Sequence, residues 1–258
     1  MTVHLVGAGP GDPELISVRG ARLLGSAGVV VHDRLARPLL PLAAPGAEIV
    51  DVGKSPGSAP VPQSEINRIL VDAGRRYGCV VRLKGGDPLV FGRGAEEAEA
   101  LAAAGVPFEV VPGISSVLAA PAAAGVPVTV RGTSRSFTVL TGHEDPELIP
   151  LSWWDALVTL GGTIVVLMGA SNMASIAERL RSAGLRAATP VAVVHAATTP
   201  SQYVHRSTLD RIAAFPVPSP ATIVIGDVAA LDLRSGLATS MPGAGVVADR
   251  ERGPIVGL

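Results

Sequence analysis

The chain has 258 residues, a formal net charge of −1 and a composition that is 48% apolar but only 3% aromatic. Near-neutrality excludes the global basic field of a non-specific nucleic-acid binder. No apolar run approaches the roughly 18 residues of a membrane span, and no basic-then-apolar leader opens the sequence, so neither a nucleic-acid nor a membrane partner is expected. A single cysteine, Cys79, inside an apolar strand run, offers no disulfide framework or thiolate zinc site and points to a reducing, cytoplasmic setting. A core of Val, Leu, Ile and Ala suits a buried, largely parallel sheet. The 30 glycines and 22 prolines are spread along the chain without period and read as loops of a folded protein.

The first strand is expected at 3–6, followed by "GAGPGD" (7–12). A dinucleotide fingerprint would need a third glycine where Asp12 stands, and a helix beginning directly after the strand to receive the pyrophosphate. Asp12 would repel a phosphate. Pro10 and Pro13 remove donors, and no helix starts there; the first helix start is Ser17 as N-cap, with Val18, Ala21 and Leu24 on one face. The dinucleotide reading is therefore rejected. Strands at 29–32, 48–52, 80–84 and 108–111 alternate with helices at 63–76, whose stripe is Ile66, Ile69, Leu70 and Ala73, and at 96–104, closed by Gly105. This alternation predicts a doubly wound parallel sheet.

The small-residue stretch 112–130 has a proline inside its helix, and the domain boundary is placed there. The expected domains are 1–114 and 115–241, with a mobile tail at 242–258. In the second half, strands are expected at 137–141, 163–168, 191–195, 202–206 and 222–225, and helices at 153–159, 172–183 and 207–214. Two halves, each with its own sheet, would leave a cleft for a small molecule between them.

Four loops follow the carboxyl ends of predicted strands: "GAGPGD", "KGGDP" (84–88), "PGISS" (112–116) and "MGAS" (168–171). Loops on that edge of an α/β sheet face ligands. Each also has a plainer reading. Gly85 and Gly86 make a turn, Asp87 before Pro88 is a common turn residue, Ser115 serves as a helix N-cap, and Met168 at a strand end packs in a core. "SWWD" reads as a helix start with both tryptophans packed inward. Asp33 and Lys54 end two successive strands, which suits an acid–base pair as well as a structural ion pair. The five histidines, 4, 32, 143, 195 and 205, form no i, i+4 pair, so no metal site is expected. Neither a Ser-His-Asp arrangement nor a P-loop occurs. Arg34, Arg37, Lys54, Arg82, Lys84, Arg93, Arg131 and Arg135 bracket the loops. They fit a polyanionic organic ligand, and equally an ordinary solvated surface.

With these residues in view, the stretches "VGAGPGDPELISVRGARLL", "VVVHDRL", "VVRLKGGDPLVFGRGAEEAEALAAAGVPFEVVPGISS", "SFTVLTGH" and "SPATIVIGDV" resemble the tetrapyrrole methylase family over roughly residues 3–232. The block from "KGGDP" to "VVPGISS" is closest to the branch that methylates uroporphyrinogen III. The resemblance implies two α/β domains with S-adenosylmethionine folded in the cleft, a fold unrelated to Rossmann methyltransferases, and a homodimer. It implies transfer of methyl groups from two donors in turn to two pyrrole carbons, giving precorrin-2 for sirohaem or cobalamin synthesis, with S-adenosylhomocysteine leaving. It also implies that Pro10, Gly85, Gly86, Asp87, Val90, Ser115, Ser116, Met168 and Ala197 line the donor, that Asp33 accepts a proton and that Lys54 donates one.

The chain departs from the family pattern near Ala123, where an aromatic residue is usual, and near Val130 and Gly57, where histidines are. The usual glycine-threonine pair after "VAVVH" reads Ala197–Thr198. No dehydrogenase and ferrochelatase half of the kind found in fused sirohaem synthases precedes the match, so the reaction would stop at precorrin-2. Methylation of a later precorrin, and a non-catalytic protein that binds the donor or a tetrapyrrole, stay open as alternatives.

Overall fold

The structure is a computed structural model and describes residues 1–53, 61–236 and 245–246. The chain forms two compact units, Met1–Ala119 and Ala120–Leu258.

In the first unit, strands β1 (Thr2–Gly7), β2 (Val29–His32), β3 (Glu48–Asp51), β4 (Cys79–Lys84) and β5 (Phe108–Val111) form one sheet in the order β3-β2-β4-β1-β5. Every pairing is parallel, as the alternation of strands and helices predicts. Helix α1 (Val18–Leu24) connects β1 to β2, α2 (Gln63–Arg76) lies between β3 and β4, and α3 (Gly94–Ala103) leads into β5. The period of two sends Val3, Leu5, Val29, Val31 and Val80 to one face, where they pack with Ile66, Leu70 and Ala73 of α2 and Leu101 of α3. Val6, Val30, Val81, Leu83 and Val111 face the other way, against Leu24 of α1 and Ala36 and Leu39 of the following 3-10 segment. Coverage on both faces explains why these strands read as continuous apolar runs.

Ser17 caps α1 as expected, its Oγ accepting from the Gly20 N–H at 3.1 Å. Of the expected apolar face of α1, Leu24 is buried and Ala21 partly so, but Val18 is 90% exposed, and Gly20 is the other buried residue of the helix. A single 3-10 turn, Pro13–Leu15, also begins where no helix was expected, with Asp12 accepting from the Glu14 N–H at 2.9 Å. It is one turn only, and α1 still starts after the loop.

The second unit holds a mixed six-stranded sheet, in the order β11-β9-β8-β10-β7-β6. Its strands are β6 (Phe137–Thr141), β7 (Thr163–Leu167), β8 (Pro190–His195), β9 (Tyr203–Thr208), β10 (Ala221–Ile225) and β11 (Gly245–Val246). Helix α4 (Ser116–Ala123) carries the boundary between the units, and α5 (Leu151–Leu160) and α6 (Met173–Ser182) belong to the second. One face buries Ile164, Val166, Val191, Val193 and Ile223 against Trp154 and Leu157 of α5 and Ile176 and Leu180 of α6. The other packs Ala192, Val194, Val204 and Val224 on Ala120, Ala124, Val228 and Ala229.

Two expectations fail in this unit. The helix at 207–214 is absent: β9 runs on to Thr208, paired with Pro190, and only a 3-10 turn at Ile212–Ala214 follows. Antiparallel pairing with β8 overrides the helical propensity of that stretch. Of the two tryptophans only Trp154 is buried; Trp153 is exposed and meets it edge to face at 5.1 Å. Of the expected mobile tail only β11 is described, paired parallel with β9; the rest lies outside the described residues. Among the described residues no helix is long and apolar enough to cross a membrane.

Candidate active site

The carboxyl ends of β1, β4 and β5 lie on one edge of the parallel sheet, and the loops that leave them are tied together by backbone. The Ala8 N–H donates to the Lys84 carbonyl at 2.7 Å, and Gly9 and Gly86 exchange hydrogen bonds at 3.2 and 2.8 Å. Gly7, Gly86 and Gly113 touch directly. A Cβ on Gly113 would fall 2.2 Å from the Gly86 oxygen and 2.6 Å from the Gly7 Cα. Gly86 also has a φ of +66°, so its turn reading is correct, and the same turn carries the bridge to Gly9. Asp87 is a turn residue too, its Oδ1 accepting from the Leu89 N–H at 2.8 Å. Its other oxygen accepts from the Gly113 N–H at 3.1 Å, which fastens the second loop to the third. Ser115 caps α4, with its Oγ accepting from the Val117 N–H at 3.3 Å. Pro10, Gly85, Gly86, Asp87, Val90, Ser115 and Ser116 are thus on this one edge, with the Val90 side chain exposed.

Asp33 follows β2 on the same edge and is 35% exposed. Its partner in the structure is Arg82, whose Nη2 donates to Oδ1 at 2.7 Å. Lys54, expected beside it, lies outside the described residues. Arg82 and Lys84 are two residues apart on β4 and so share a face, the one covered by α2 and α3. Both are 2% exposed. Their counter-charge is Glu97 in the first turn of α3, whose Oε1 accepts from Arg82 Nε at 3.0 Å and Lys84 Nζ at 2.9 Å. Burial and the neighbouring Arg82 charge push the Lys84 ammonium below its ordinary pKa.

This geometry corrects the reading of the basic residues as one group. Arg82 and Lys84 are buried and bound to Glu97, and Arg82 also to Asp33. Arg37 pairs with Asp51, holding that carboxyl below its ordinary range, and Arg93 pairs with Glu96 at 2.6 Å. Arg34, Arg131 and Arg135 are exposed. Sequence reasoning missed Glu97 altogether. The available signal was two cations on one face of a buried strand, which require a buried anion nearby.

In the second unit, β7 and β8 each pair antiparallel with β10, so they run in the same direction and end on one edge, about 10 Å apart. Met168 leaves β7 there with a φ of +56°, and its side chain is 45% exposed, so the core reading fails. Ala197 leaves β8 between Ala196 and Thr198, whose φ values are +42° and +65°. Left-handed backbone at three residues with side chains is costly, on the order of 1 kcal/mol or more each, and clusters at functional sites. Gln202 braces the second of these loops: its Oε1 accepts from the Thr198 N–H at 2.6 Å and its Nε2 donates to the Ala123 carbonyl at 3.1 Å.

The family model for tetrapyrrole (corrin/porphyrin) methylases matches residues 2–213. The chain belongs to the tetrapyrrole methylase family. It is 48% identical over 233 residues to the S-adenosyl-L-methionine-dependent uroporphyrinogen III methyltransferase of Methanosarcina barkeri, covering 88% of this chain and 91% of that one. It is 44% identical to the siroheme synthase of Ectopseudomonas mendocina, over 89% of this chain but 50% of the relative, so it spans about half the length of that protein. Among solved structures it resembles the uroporphyrin-III C-methyltransferase of Thermus thermophilus complexed with S-adenosylhomocysteine, with a TM-score of 0.76 and 41% identity, covering 88% of this chain and 98% of that one. The glycines of "GAGPGD" and "KGGDP" make backbone contact between their loops.

Proposed function

We propose that the protein is a uroporphyrinogen-III C-methyltransferase that transfers methyl groups from S-adenosylmethionine to two pyrrole carbons in succession and so makes precorrin-2. The observation that carries this reading is the Asp33 carboxylate, part-exposed on the same sheet edge as the locked glycine loops, in a chain nearly half identical to an enzyme of that name. The loop edge suits the donor chemically. Gly85, Gly86 and Gly113 offer backbone without side chains, Val90 offers exposed apolar surface, and Ser115 and Ser116 offer hydroxyls at a helix start; in the second unit, Met168 offers an exposed thioether. By motif we assign donor contact to Pro10, Gly85, Gly86, Asp87, Val90, Ser115, Ser116, Met168 and Ala197.

S-adenosylmethionine, when bound, supplies an electrophilic methyl whose bond to sulfur breaks as the new carbon–carbon bond forms. The pyrrole carbon is already electron-rich, so the first task of the protein is orientation, and loops fixed by backbone contact perform it without rearrangement. Positive charge then appears on the macrocycle. Asp33 stabilises it and takes the proton the ring loses, while Lys54 is assigned proton donor from its motif alone. We further read the assembly as a cytoplasmic homodimer, to be checked by light scattering.

The test is anaerobic incubation with uroporphyrinogen III and methyl-labelled donor. A dimethylated product is expected from the wild type, and Asp33→Asn should turn over at least about 100-fold more slowly while binding S-adenosylhomocysteine unchanged. Absence of dimethylated product from the wild type would overturn the substrate; full activity of Asp33→Asn would overturn the assignment of the acceptor.

A further inference from the structure

The charge cluster beneath Asp33 is larger than a buried sheet needs. Arg82 lies at the centre of β4 and reaches in two directions from one planar group, with Nε to Glu97 at 3.0 Å and Nη2 to Asp33 at 2.7 Å. Glu97 is fully buried, and its Oε1 also receives Lys84 Nζ at 2.9 Å and Gln63 Nε2 at 3.4 Å. Its Oε2 has no hydrogen-bond partner among the described residues. Two cations and two carboxylates cancel, but only Asp33 among the four meets solvent. Apolar residues of similar size would often fill such a space at no loss of stability. A rigid guanidinium bonded at one end to an immobile carboxylate does something they could not, because it fixes the direction of whatever it holds at the other end.

We infer that Arg82, anchored by Glu97, is a positioning residue that sets the orientation of the Asp33 carboxylate toward the substrate. The inference rests on the proposed role of Asp33 as proton acceptor. Arg82 touches no reacting atom and acts through Asp33 alone. Lysine in its place could bond one carboxylate but could not span both with a fixed angle. Glutamine at 97 would keep an oxygen for the donors of Arg82 and Lys84 and would remove only the anchoring charge.

The experiment is a double-mutant comparison under single-turnover conditions with excess enzyme, so that slow variants remain measurable. Arg82→Lys and Glu97→Gln should each lower the methyl-transfer rate about 10- to 100-fold, as expected for a misaligned reacting group, with KM for both substrates within about twofold of wild type. In the Asp33→Asn background the same substitutions should cost less than about twofold more, since the group they orient is gone. Glu97→Gln preserves shape and keeps the test valid should Arg82→Lys fail to fold. Equal losses in both backgrounds, or raised KM with an unchanged rate, would overturn the inference and leave the cluster a structural device. Full activity of Asp33→Asn would instead remove the reading beneath it.

Discussion

Where β1, β4 and β5 of the first unit end, the loops are held by backbone that lacks side chains, whereas at the ends of β7 and β8 of the second they are bent by residues that keep them. Gly7 and Gly113 approach each other and the Gly86 carbonyl so closely that neither could carry a Cβ. Met168, Ala196 and Thr198 instead adopt left-handed angles with their side chains in place, and Gln202 braces part of that geometry from outside. Glycine at such angles would be less strained, so replacing Met168 by glycine separates the demand of the turn from that of the side chain. The junction of β1, β4 and β5 therefore supplies main chain at close quarters, and the ends of β7 and β8 supply presented side chains; each pattern also recurs in the other unit, as the close approach of Gly142 to Gly169 and the left-handed Phe91 and Arg93.

The sharpest challenge to this contrast is Gly113→Ala. Its methyl would meet backbone on two sides, and thermal unfolding should show a loss of about 3 kcal/mol or more; an unchanged melting temperature would mean that the three loops are not locked. Gln202→Ala should cost about 1–3 kcal/mol, because the Thr198 N–H and the Ala123 carbonyl lose their partner. In the same variant, S-adenosylhomocysteine affinity measured by calorimetry should weaken. Met168→Gly should move the two readouts in opposite directions, raising stability by about 1 kcal/mol through relief of strain while weakening the same ligand. A parallel fall in both would dissolve the distinction between turn and side chain.

The smallest effect is expected at Asp232. Burial opposes its ionisation, but hydrogen bonds from the Arg234 side chain and backbone and the charges of Arg206 and Arg234 outweigh it, so its pKa lies below the ordinary value. A depressed carboxyl pKa stabilises the fold above the unfolded-state value and ceases to do so as pH falls through the folded one. Asp232→Asn should therefore lower the melting temperature by about a degree or two near neutrality, and the two proteins should converge in strong acid. A constant offset across the whole range would contradict the linkage.

Much of the first unit was legible because its period and punctuation agree. Strand positions, the Gln63–Arg76 helix, the Ser17 cap and the C′ glycine Gly105 all follow from local chemistry. The loops at the strand ends were legible for the same reason. What escaped depends on long-range pairing. Residues 207–214 look helical in isolation, yet the register with β8 draws 207 and 208 into a strand. The pairing of Arg82 with Glu97 joins a strand to a helix across 15 positions, and nothing in either segment names the other. Sequence also treated exposed and buried arginines alike, since a charge does not announce its own burial. Met168 read as core because apolar character was weighed without its backbone angle.

The three-way glycine contact constrains motion as well as sequence. The hydrogen bonds Ala8 N–H to Lys84 O, Gly9 to Gly86 in both directions and Gly113 N–H to Asp87 tie the three turns to one another. The amides of Gly9 and Gly86, which bond each other's carbonyls across that junction, should consequently exchange with deuterium together and slowly, whether or not a small molecule rests against them. Unequal or fast exchange of the two amides would show that the junction opens.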